Sequence, residues 1–279
     1  MTVGVVGLGL IGASLCKAYK ENDREGRVYG LDLDKKIVGI AELAGVIDGE
    51  LTEERIKECD LILVAIYPEA AISWICENAS IFSKNTVVMD CCGTKQKVCA
   101  CCFEAAEEYG FIFVGGHPMA GSHNSGFKYA RANLFIGAPM VIVPPSYDDI
   151  LLLDRIKRLL LPVGFGKISV TTARHHDEVI AFTSQMAHVV SNAYVKSPTA
   201  EQHKGFSAGS YKDLTRVAWL NAPMWSELFL ENKELLLKEL ICFRDHIDEY
   251  CVALEKEDKE ELERLLKEGS DIKGRIDGR

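Results

Sequence analysis

The chain has 279 residues, of which 48% are hydrophobic and 26% charged, as is typical of a folded globular protein. Its 41 acidic residues outnumber 32 basic ones, and the net charge of -9 excludes nucleic acid as the main partner, because phosphate binding needs a concentrated basic surface. No apolar run in the sequence reaches the roughly 18 residues that a membrane span requires. We therefore expect a cytoplasmic protein.

The first half of the sequence alternates short apolar runs with segments of helix-forming residues. The runs that have the character of buried strands are 3–7, 27–31, 61–66, 86–90, 111–115, 140–143 and 166–170. Helices are predicted between them, for example over 11–20, 95–109 and 150–161. Strands that alternate with helices indicate a parallel, doubly wound sheet, so we predict an α/β domain over residues 1–172.

The pattern changes after Thr172. No clear strand follows, and long helical stretches are predicted over residues 177–195, 211–219 and 224–254. A charge-rich helix is expected over 255–267, and the polar residues 269–279 are predicted to be disordered. We therefore expect an all-helical C-terminal domain over residues 173–279.

A glycine-rich turn follows the first predicted strand and opens the first predicted helix. It has the G-x-G-x-x-G spacing of dinucleotide-binding sites, in which the first glycine makes a tight turn and the second lets the backbone approach a pyrophosphate. The third glycine allows close packing of helix and strand, and the helix N-terminus offers N–H groups to the phosphates. The candidate cofactor-binding residues here are Gly7, Gly9, Leu10, Ile11 and Gly12.

The second predicted strand ends at Asp32, which lies 20 residues beyond Gly12. A carboxylate at this place accepts hydrogen bonds from the hydroxyls of an adenosine ribose and repels a 2′-phosphate. The sequence therefore predicts NAD, rather than NADP, as the cofactor. Tyr67 and Pro68 follow the third predicted strand at the same edge of the sheet and are added to the candidate cofactor residues.

Candidate reactive side chains follow the fourth and fifth predicted strands. Thr94 lies in the segment after the fourth strand, and His117 lies after the fifth in a turn rich in glycine and proline. Both are expected at the carboxyl edge of the sheet, where ligands bind in this architecture. A neutral imidazole there can accept a proton from a substrate hydroxyl, and an exposed turn favours a functional role for His117.

Two segments of the predicted helical domain have the character of anion-binding surfaces. Residues 184–188 end in His188, and residues 210–216 end in Arg216, which can hold a carboxylate by two parallel N–H bonds. Histidine and arginine on helices usually face solvent or pair within the fold, so a structural role for both stays open on the residues alone.

Together these segments resemble the prephenate/arogenate dehydrogenase family, also called the TyrA family. The resemblance runs from Gly7 to about residue 230, and its specific parts are His-Pro-Met-Ala-Gly at 117–121 and Tyr-Lys-Asp-Leu-Thr-Arg at 211–216. It implies a Rossmann-type domain followed by a helical dimerisation domain. It also implies an NAD-dependent, monofunctional oxidoreductase of tyrosine biosynthesis that converts prephenate to 4-hydroxyphenylpyruvate with loss of carbon dioxide.

The resemblance assigns roles to individual residues. His117 falls on the catalytic histidine, and Thr94 on the hydroxyl that hydrogen-bonds the same substrate hydroxyl. The remaining substrate-binding or pocket positions fall on Asp177, His188, Lys212, Asp213, Arg216 and the aromatic Trp225. The implied homodimer agrees with the apolar character of Val179, Ile180, Val189, Val190 and residues 235–237, which one small helical domain does not readily bury.

Two departures from the family pattern bear on the site. Gln185-Met186-Ala187 precedes His188 where many relatives have His-Leu-Pro, and His123 stands where many have Glu. Because His123 is not an acidic residue, the sequence favours prephenate over arogenate, whose ammonium group needs a carboxylate partner. Asp213 is a second candidate for that partner, so arogenate stays an alternative.

Two further alternatives remain from the sequence. One is another β-hydroxyacid or imine dehydrogenase of similar two-domain build, although many of those would use a lysine base. The other is an NAD-sensing protein without catalysis. No metal is predicted, because the crowded cysteines are expected to be small buried apolar residues of a reducing compartment; they are Cys91, Cys92, Cys99, Cys101 and Cys102.

Overall fold

Eight strands form one sheet in the computed structural model of the chain, which describes residues 1–121 and 124–278. The strands are β1 Thr2–Val6, β2 Arg27–Leu31, β3 Gly49–Glu50, β4 Leu61–Val64, β5 Val87–Asp90, β6 Ile112–Pro118, β7 Pro139–Val143 and β8 Lys167–Val170. Their order is β3-β2-β1-β4-β5-β6-β7-β8, and only β6 and β7 pair antiparallel within the described ranges.

The chain builds this sheet outward from its middle in two directions. After β3 it returns to place β4 beside β1, so the order of the strands reverses between these two. Crevices at the carboxyl ends of strands on either side of such a reversal are where dinucleotides bind in α/β proteins. The predicted doubly wound, mostly parallel sheet is confirmed.

Helices cover both faces of the sheet and bury alternate residues of each strand. They are α1 Leu10–Asn22, α2 Lys35–Leu43, α3 Glu53–Ile56, α4 Pro68–Asn78, α5 Gln96–Tyr109 and α6 Ile150–Leu160. Leu61 and Leu63 of β4 pack in one core cluster, whereas Ile62 and Val64 pack in the other. This alternation produces the continuous apolar runs in the sequence, because both faces of a parallel sheet are covered.

After β8 the remaining elements of the first compact unit, Met1–Asn232, are helical. They are α7 Ala173–Ile180, a π-helical segment Ala181–Met186, α8 Ala187–Tyr194, a 3₁₀ helix Pro198–Gln202, α9 Gly209–Thr215 and α10 Ala222–Glu231. The second unit, Lys233–Arg279, contains α11 Lys233–Glu255 and α12 Lys259–Ile276. The side chain of Asp258 caps α12 by accepting a 3.0 Å hydrogen bond from the Glu261 amide.

Several boundaries differ from the prediction for local reasons. The predicted helix over 224–254 is broken at Asn232, and α12 continues to Ile276 through residues that were predicted to be disordered. Strand β3 has two residues, too few to show an alternating pattern. The predicted domain boundary between residues 172 and 173 stays a prediction. None of the helices in the described ranges combines the length and the hydropathy needed to cross a bilayer.

Candidate functional site

The three glycines of the turn between β1 and α1 lie in three different steric environments. Gly7 has a φ of +87°, which favours glycine, and a Cβ there would lie 2.6 Å from the Ala65 carbonyl oxygen. A Cβ on Gly12 would lie 1.8 Å from the Gly7 carbonyl oxygen, so the helix packs against the turn without room for a methyl group. A Cβ on Gly9 meets no atom of the described residues within 4 Å, so the turn opens to free space there.

The carboxylate of Asp32 is oriented beside this turn. Its Oδ2 accepts a 2.8 Å hydrogen bond from the amide of Leu8, and its Oδ1 accepts one of 2.9 Å from the amide of Asp34. No side chain of the described residues caps the N-terminus of α1, where Leu10 and Ile11 are half-buried. The open space, the uncapped helix end and the oriented carboxylate fit a bound dinucleotide.

Tyr67 and Pro68 complete the group of predicted cofactor residues. Pro68 is the first residue of α4, and Tyr67 directly precedes it at the carboxyl end of β4. The Tyr67 hydroxyl accepts a 3.4 Å hydrogen bond from the side chain of Asn221, at the start of α10. The predicted cofactor residues therefore lie at one edge of β1, β2 and β4.

His117 lies inside a strand and not in the exposed turn that the sequence predicts. Strand β6 continues past Gly115 to Pro118 because β7 pairs with it antiparallel, with His117 opposite Val141. The histidine is half-buried. The ladder fixes its backbone, which an exposed glycine-rich turn would not do.

Among the described residues, His117 has a polar partner that the sequence analysis missed, a second histidine. Nδ1 of His117 lies 2.8 Å from Nε2 of His176, and Nδ1 of His176 lies 2.7 Å from Oδ1 of Asp177. His176 is buried in α7. The only sequence signal for it is its place beside Asp177, which does not reveal that α7 packs against the end of β6.

Asp177 was predicted to bind substrate, but its carboxylate is buried and engaged within the protein. Oδ1 also accepts a 2.7 Å hydrogen bond from the amide of Lys95, and Oδ2 accepts one of 2.8 Å from the amide of Gln96. These amides open α5, so Asp177 satisfies the N-terminus of a helix far from it in sequence.

A buried ion pair lies under the same helix terminus. The side chains of Lys95 and Asp90 are fully buried and form a salt bridge, and the Asp90 carboxylate also accepts a 3.0 Å hydrogen bond from the amide of Gly116. Burial disfavours the Lys95 ammonium, but the charge of Asp90 outweighs it and raises the pKa of Lys95 above its usual value. A fixed positive charge therefore lies close to His117.

The histidine pair is held in the uncharged form. Burial, followed by the proximity of His176 and of the Lys95 ammonium, lowers the pKa of His117 well below its usual value. Burial also lowers the pKa of His176 and outweighs the hydrogen bond to Asp177. Neutral imidazoles at neutral pH follow from these shifts, and an uncharged His117 can accept a proton.

Thr94 is buried and its hydroxyl donates a 2.5 Å hydrogen bond to Oε2 of Glu231, at the end of α10. The other carboxylate oxygen, Oε1, is buried and has no hydrogen-bond partner among the described residues. Burial raises the pKa of Glu231. The sequence analysis did not identify this acid, which lies 137 residues from Thr94.

His188, Trp225 and Arg216 form a second group. The rings of His188 and Trp225 lie 4.0 Å apart at 31°, and Nδ1 of His188 lies 2.8 Å from the carbonyl oxygen of Ser184. Burial and the nearby charge of Arg216 lower the pKa of His188 despite this bond. The Arg216 side chain is exposed, and its charge is near enough to His188 to contribute to this shift.

Gln185, the departure from the family pattern, links the two groups. Its side-chain amide donates a 3.0 Å hydrogen bond to the carbonyl oxygen of Leu228 on α10 and accepts one of 2.8 Å from Asn232. Asn232 also donates to the carbonyl oxygen of Asp177 at 2.9 Å. The π-helical segment is therefore tied to α10 and α7 by buried amides.

The described ranges show no polar link between these groups and two further predicted residues. Lys212 and Asp213 are exposed on α9, and within the described ranges their side chains form no hydrogen bond or ion pair with the other candidates. His123 lies outside the described residues.

Three of the five clustered cysteines pack in the core, before and within α5, whereas Cys91 and Cys101 are partly exposed. Cys92, Cys99 and Cys102 are buried, and burial raises the pKa of each thiol. Cys99 and Cys102 have C-x-x-C spacing, but no group of three metal-ligating side chains is found in the part of the chain that the structure describes.

Comparison with protein families matches nearly the whole chain. Residues 15–169 match the family described as prephenate dehydrogenase, nucleotide-binding domain, and residues 172–268 match prephenate dehydrogenase, dimerization domain. The chain is also 30% identical to a prephenate dehydrogenase of Lactococcus lactis subsp. cremoris over 278 residues, which cover 96% of this chain and 75% of the relative.

Two solved structures of similar fold extend the comparison. A prephenate dehydrogenase from A. aeolicus, in complex with hydroxyphenyl propionate and NAD+, superposes with a TM-score of 0.84 at 28% identity and covers 99% of this chain and 98% of its own. An arogenate dehydrogenase from Synechocystis gives a TM-score of 0.80 at 26% identity, with 99% and 100% covered.

Proposed function

The chain belongs to the prephenate dehydrogenase family, and we propose that it oxidises and decarboxylates prephenate to 4-hydroxyphenylpyruvate with NAD, in the biosynthesis of tyrosine. The observation that carries the proposal is the place of the half-buried His117 at the carboxyl edge of the sheet, with its ring 2.8 Å from that of His176. Its lowered pKa favours the neutral form that can accept a proton. A base is needed there because the reaction removes a proton from a ring hydroxyl.

The cofactor in this proposal is NAD, which supplies a hydride acceptor when bound. The glycine turn over residues 7–12 and the N-terminus of α1 would hold its pyrophosphate, and Asp32 would hold its adenosine ribose. The NAD+ found with the similar A. aeolicus enzyme supports this assignment. Tyr67 and Pro68 would border the same crevice.

The reaction balances without further reactants. Carbon 4 of the prephenate ring loses its hydrogen as a hydride, and the hydroxyl on that carbon loses its proton to His117. The carboxylate on carbon 1 leaves as carbon dioxide, and the electron pair of the broken carbon–carbon bond completes the aromatic ring. The ring oxygen then takes the proton back from His117, which gives the phenol and restores the neutral imidazole. Because aromatisation drives the reaction, the protein mainly positions the substrate and holds the proton.

The hydroxyl proton moves to the bare ring nitrogen of His117, a form of catalysis typically worth about 10²–10⁴-fold. Thr94 exchanges its hydrogen bond to Glu231 for one to the substrate oxygen and so orients the hydroxyl. Burial, the neighbouring His176 and, as the smallest cause, the Lys95 ammonium disfavour protonation of His117 by solvent.

The two substrate carboxylates are assigned to Arg216 and His188. Arg216 has the planar donor geometry for a bidentate contact. Nδ1 of His188 lies 2.8 Å from the Ser184 carbonyl oxygen, so Nε2 is the nitrogen left to face a carboxylate. The lowered pKa keeps the ring neutral without substrate, and the negative charge of a bound carboxylate would favour its protonation. Trp225 forms the wall behind this imidazole, and Lys212 and Asp213 are assigned to the rim.

Dimerisation follows from the family match of residues 172–268, and we propose a homodimer formed through the helical domain. Val179 and Leu237 are exposed and available for this interface, whereas Ile180 and Leu236 are buried within the chain. Sedimentation of a monomer at micromolar concentration would contradict the homodimer. A cytoplasmic location stays a prediction.

Prephenate is preferred over arogenate in this proposal because the sequence offers His123 where an acid would bind the arogenate ammonium. The fold does not decide between the two, since the similar Synechocystis enzyme is an arogenate dehydrogenase. The ratio of kcat/KM on the two substrates is expected to favour prephenate, and His123→Glu is expected to shift it toward arogenate.

The test of the function is an assay of NADH absorbance with purified protein, NAD and each candidate substrate. Turnover of prephenate supports the proposal. Turnover of arogenate alone changes the substrate, turnover of a β-hydroxyacid or imine alone changes the reaction, and NAD binding without any turnover indicates a sensor.

A further inference from the structure

We propose that His176 is a positioning residue that fixes the tautomer of His117, so that Nε2 of His117 is the bare nitrogen that faces substrate. The inference rests on the proposed function for the role of His117. The hydrogen-bond chain that carries it, from Asp177 through His176 to His117, is a property of the protein alone.

The direction of the chain is set at Asp177. An ionised carboxylate is only an acceptor, and this one already accepts from the amides of Lys95 and Gln96. Nδ1 of His176, 2.7 Å from Oδ1, must therefore be the donor. The two amides at the start of α5 thus fix the orientation of the Asp177 carboxylate, which in turn orients the first proton.

The remaining protons follow from counting. A neutral imidazole has one N–H, so when Nδ1 of His176 donates to Asp177, Nε2 of His176 has a lone pair. That lone pair accepts from Nδ1 of His117, 2.8 Å away, and Nε2 of His117 is then left without a proton. Burial keeps both rings neutral, as the lowered pKa values of the two histidines indicate.

The alternative state shows why the arrangement matters. A protonated His176 donates from both nitrogens, so Nδ1 of His117 has to accept and its proton moves to Nε2. In that tautomer His117 presents N–H to the substrate hydroxyl and cannot accept its proton. His176 therefore acts through His117 without touching substrate.

Two amide substitutions separate this role from a purely structural one. The side chain of His176→Gln reaches the place of Nε2 and can accept from His117, but it loses the bond to Asp177. The side chain of His176→Asn reaches the place of Nδ1 and keeps the bond to Asp177, but it does not reach His117. We expect His176→Asn to lower kcat by about 10²-fold and His176→Gln by less than about 10-fold, with the KM for prephenate little changed.

The reverse order, with His176→Asn more active than His176→Gln, would show that His176 only supports the Asp177 cap and would overturn the proposal. Equal activity of both variants and the wild type would do the same. A double-mutant cycle adds a control for folding: in a His117→Asn background, His176→Asn is expected to cause no further loss of kcat. A further loss of about 10²-fold there would contradict action through His117.

The tautomer is also measurable without turnover. In protein labelled with ¹⁵N-histidine and free of substrate, ring nitrogen shifts are expected to show N–H at Nδ1 and a bare Nε2 for both His117 and His176. An N–H at Nε2 of His117 would overturn the proposal even if the enzyme oxidises prephenate. The expected tautomers in a protein that fails to oxidise prephenate would instead disprove only the proposed function.

Discussion

The glycine turn after β1 and the histidine pair between β6 and α7 are held by different forces. The turn is determined by close packing, because a Cβ on Gly12 would lie 1.8 Å from the Gly7 carbonyl oxygen. The pair is defined by protons, because His117 and His176 are joined nitrogen to nitrogen at 2.8 Å.

This difference predicts different sensitivities. A region defined by packing responds to one added methyl group and is indifferent to pH. A region defined by the placement of protons tolerates a change of shape that keeps its donors and acceptors, but it responds to pH and to the loss of one nitrogen. Each prediction below tests one side of this contrast.

The largest effect is expected at the histidine pair. His117→Asn removes the base and is expected to lower kcat by about 10²–10⁴-fold, because Asn retains hydrogen-bonding capacity but does not accept the proton. The Kd for NAD, measured by fluorescence titration, is expected to be nearly unchanged. Near-normal kcat at saturating prephenate would dismiss His117 as the base.

The next effect is expected in the glycine turn, where two alanine substitutions form a matched pair. Gly12→Ala is expected to lower the free energy of unfolding by about 1–3 kcal/mol or more, because the new methyl group overlaps the Gly7 carbonyl. Gly9→Ala meets free space in the protein and is expected to leave the Tm unchanged while weakening NAD binding. A lower Tm of Gly9→Ala, or NAD binding by that variant as tight as by the wild type, would contradict the assignment of Gly9 to the pyrophosphate site.

The contrast also explains what the sequence reveals. The glycine turn is predictable because its function depends on six consecutive residues. The doubly wound sheet is predictable because both of its faces are covered, so that each strand is an apolar run in the sequence. The pairing of His117 with His176 joins residues 59 positions apart, and that of Thr94 with Glu231 joins residues 137 apart. No local pattern encodes such contacts.

Two wrong predictions have different causes. The glycines and proline around His117 are typical of a turn, but tertiary pairing with β7 extends the strand through them. The residues after Gly269 are mostly polar, yet α12 continues to Ile276, one helical turn beyond Ile272. Tertiary pairing overrides the local preference at His117, whereas the helical spacing of the two isoleucines is a local signal that the prediction missed.

A smaller effect is expected at Asp32, where charge adds to shape. Asp32→Ser removes the carboxylate that would repel a 2′-phosphate. The preference for NAD over NADP, measured as the ratio of the two kcat/KM values, is therefore expected to narrow by about 10-fold. This is the lower end of the effect of a charged hydrogen bond, ~1.5–3 kcal/mol, because the hydroxyl of the new serine replaces part of the lost interaction. The Tm serves as a control, because Asp32 also accepts from the amides of Leu8 and Asp34. A wild type that uses both cofactors equally would reject this role of Asp32.

The smallest effect is expected in the pH dependence of stability. Burial lowers the pKa of three histidines below the 6.5 of an unfolded chain: His117, His176 and His188. Below that pH the unfolded chain binds more protons than the native protein, so the free energy of unfolding is expected to fall as the pH drops below 6.5. Glu231 opposes this trend, since its pKa is raised from 4.5 and the native state binds its proton more readily.

Two histidine variants test whether the buried pair causes this pH dependence of stability. His176→Asn removes one of the groups whose pKa is lowered, and it is expected to flatten the dependence of urea-unfolding free energy on pH below 6.5. His175→Asn, at the adjacent exposed position of α7, is the matched control and is expected to leave the dependence unchanged. If both variants show the same change of unfolding free energy with pH as the wild type, the buried histidine pair is not the source of the acid sensitivity. The proposed contrast in pH dependence between the pair and the glycine turn would then be wrong.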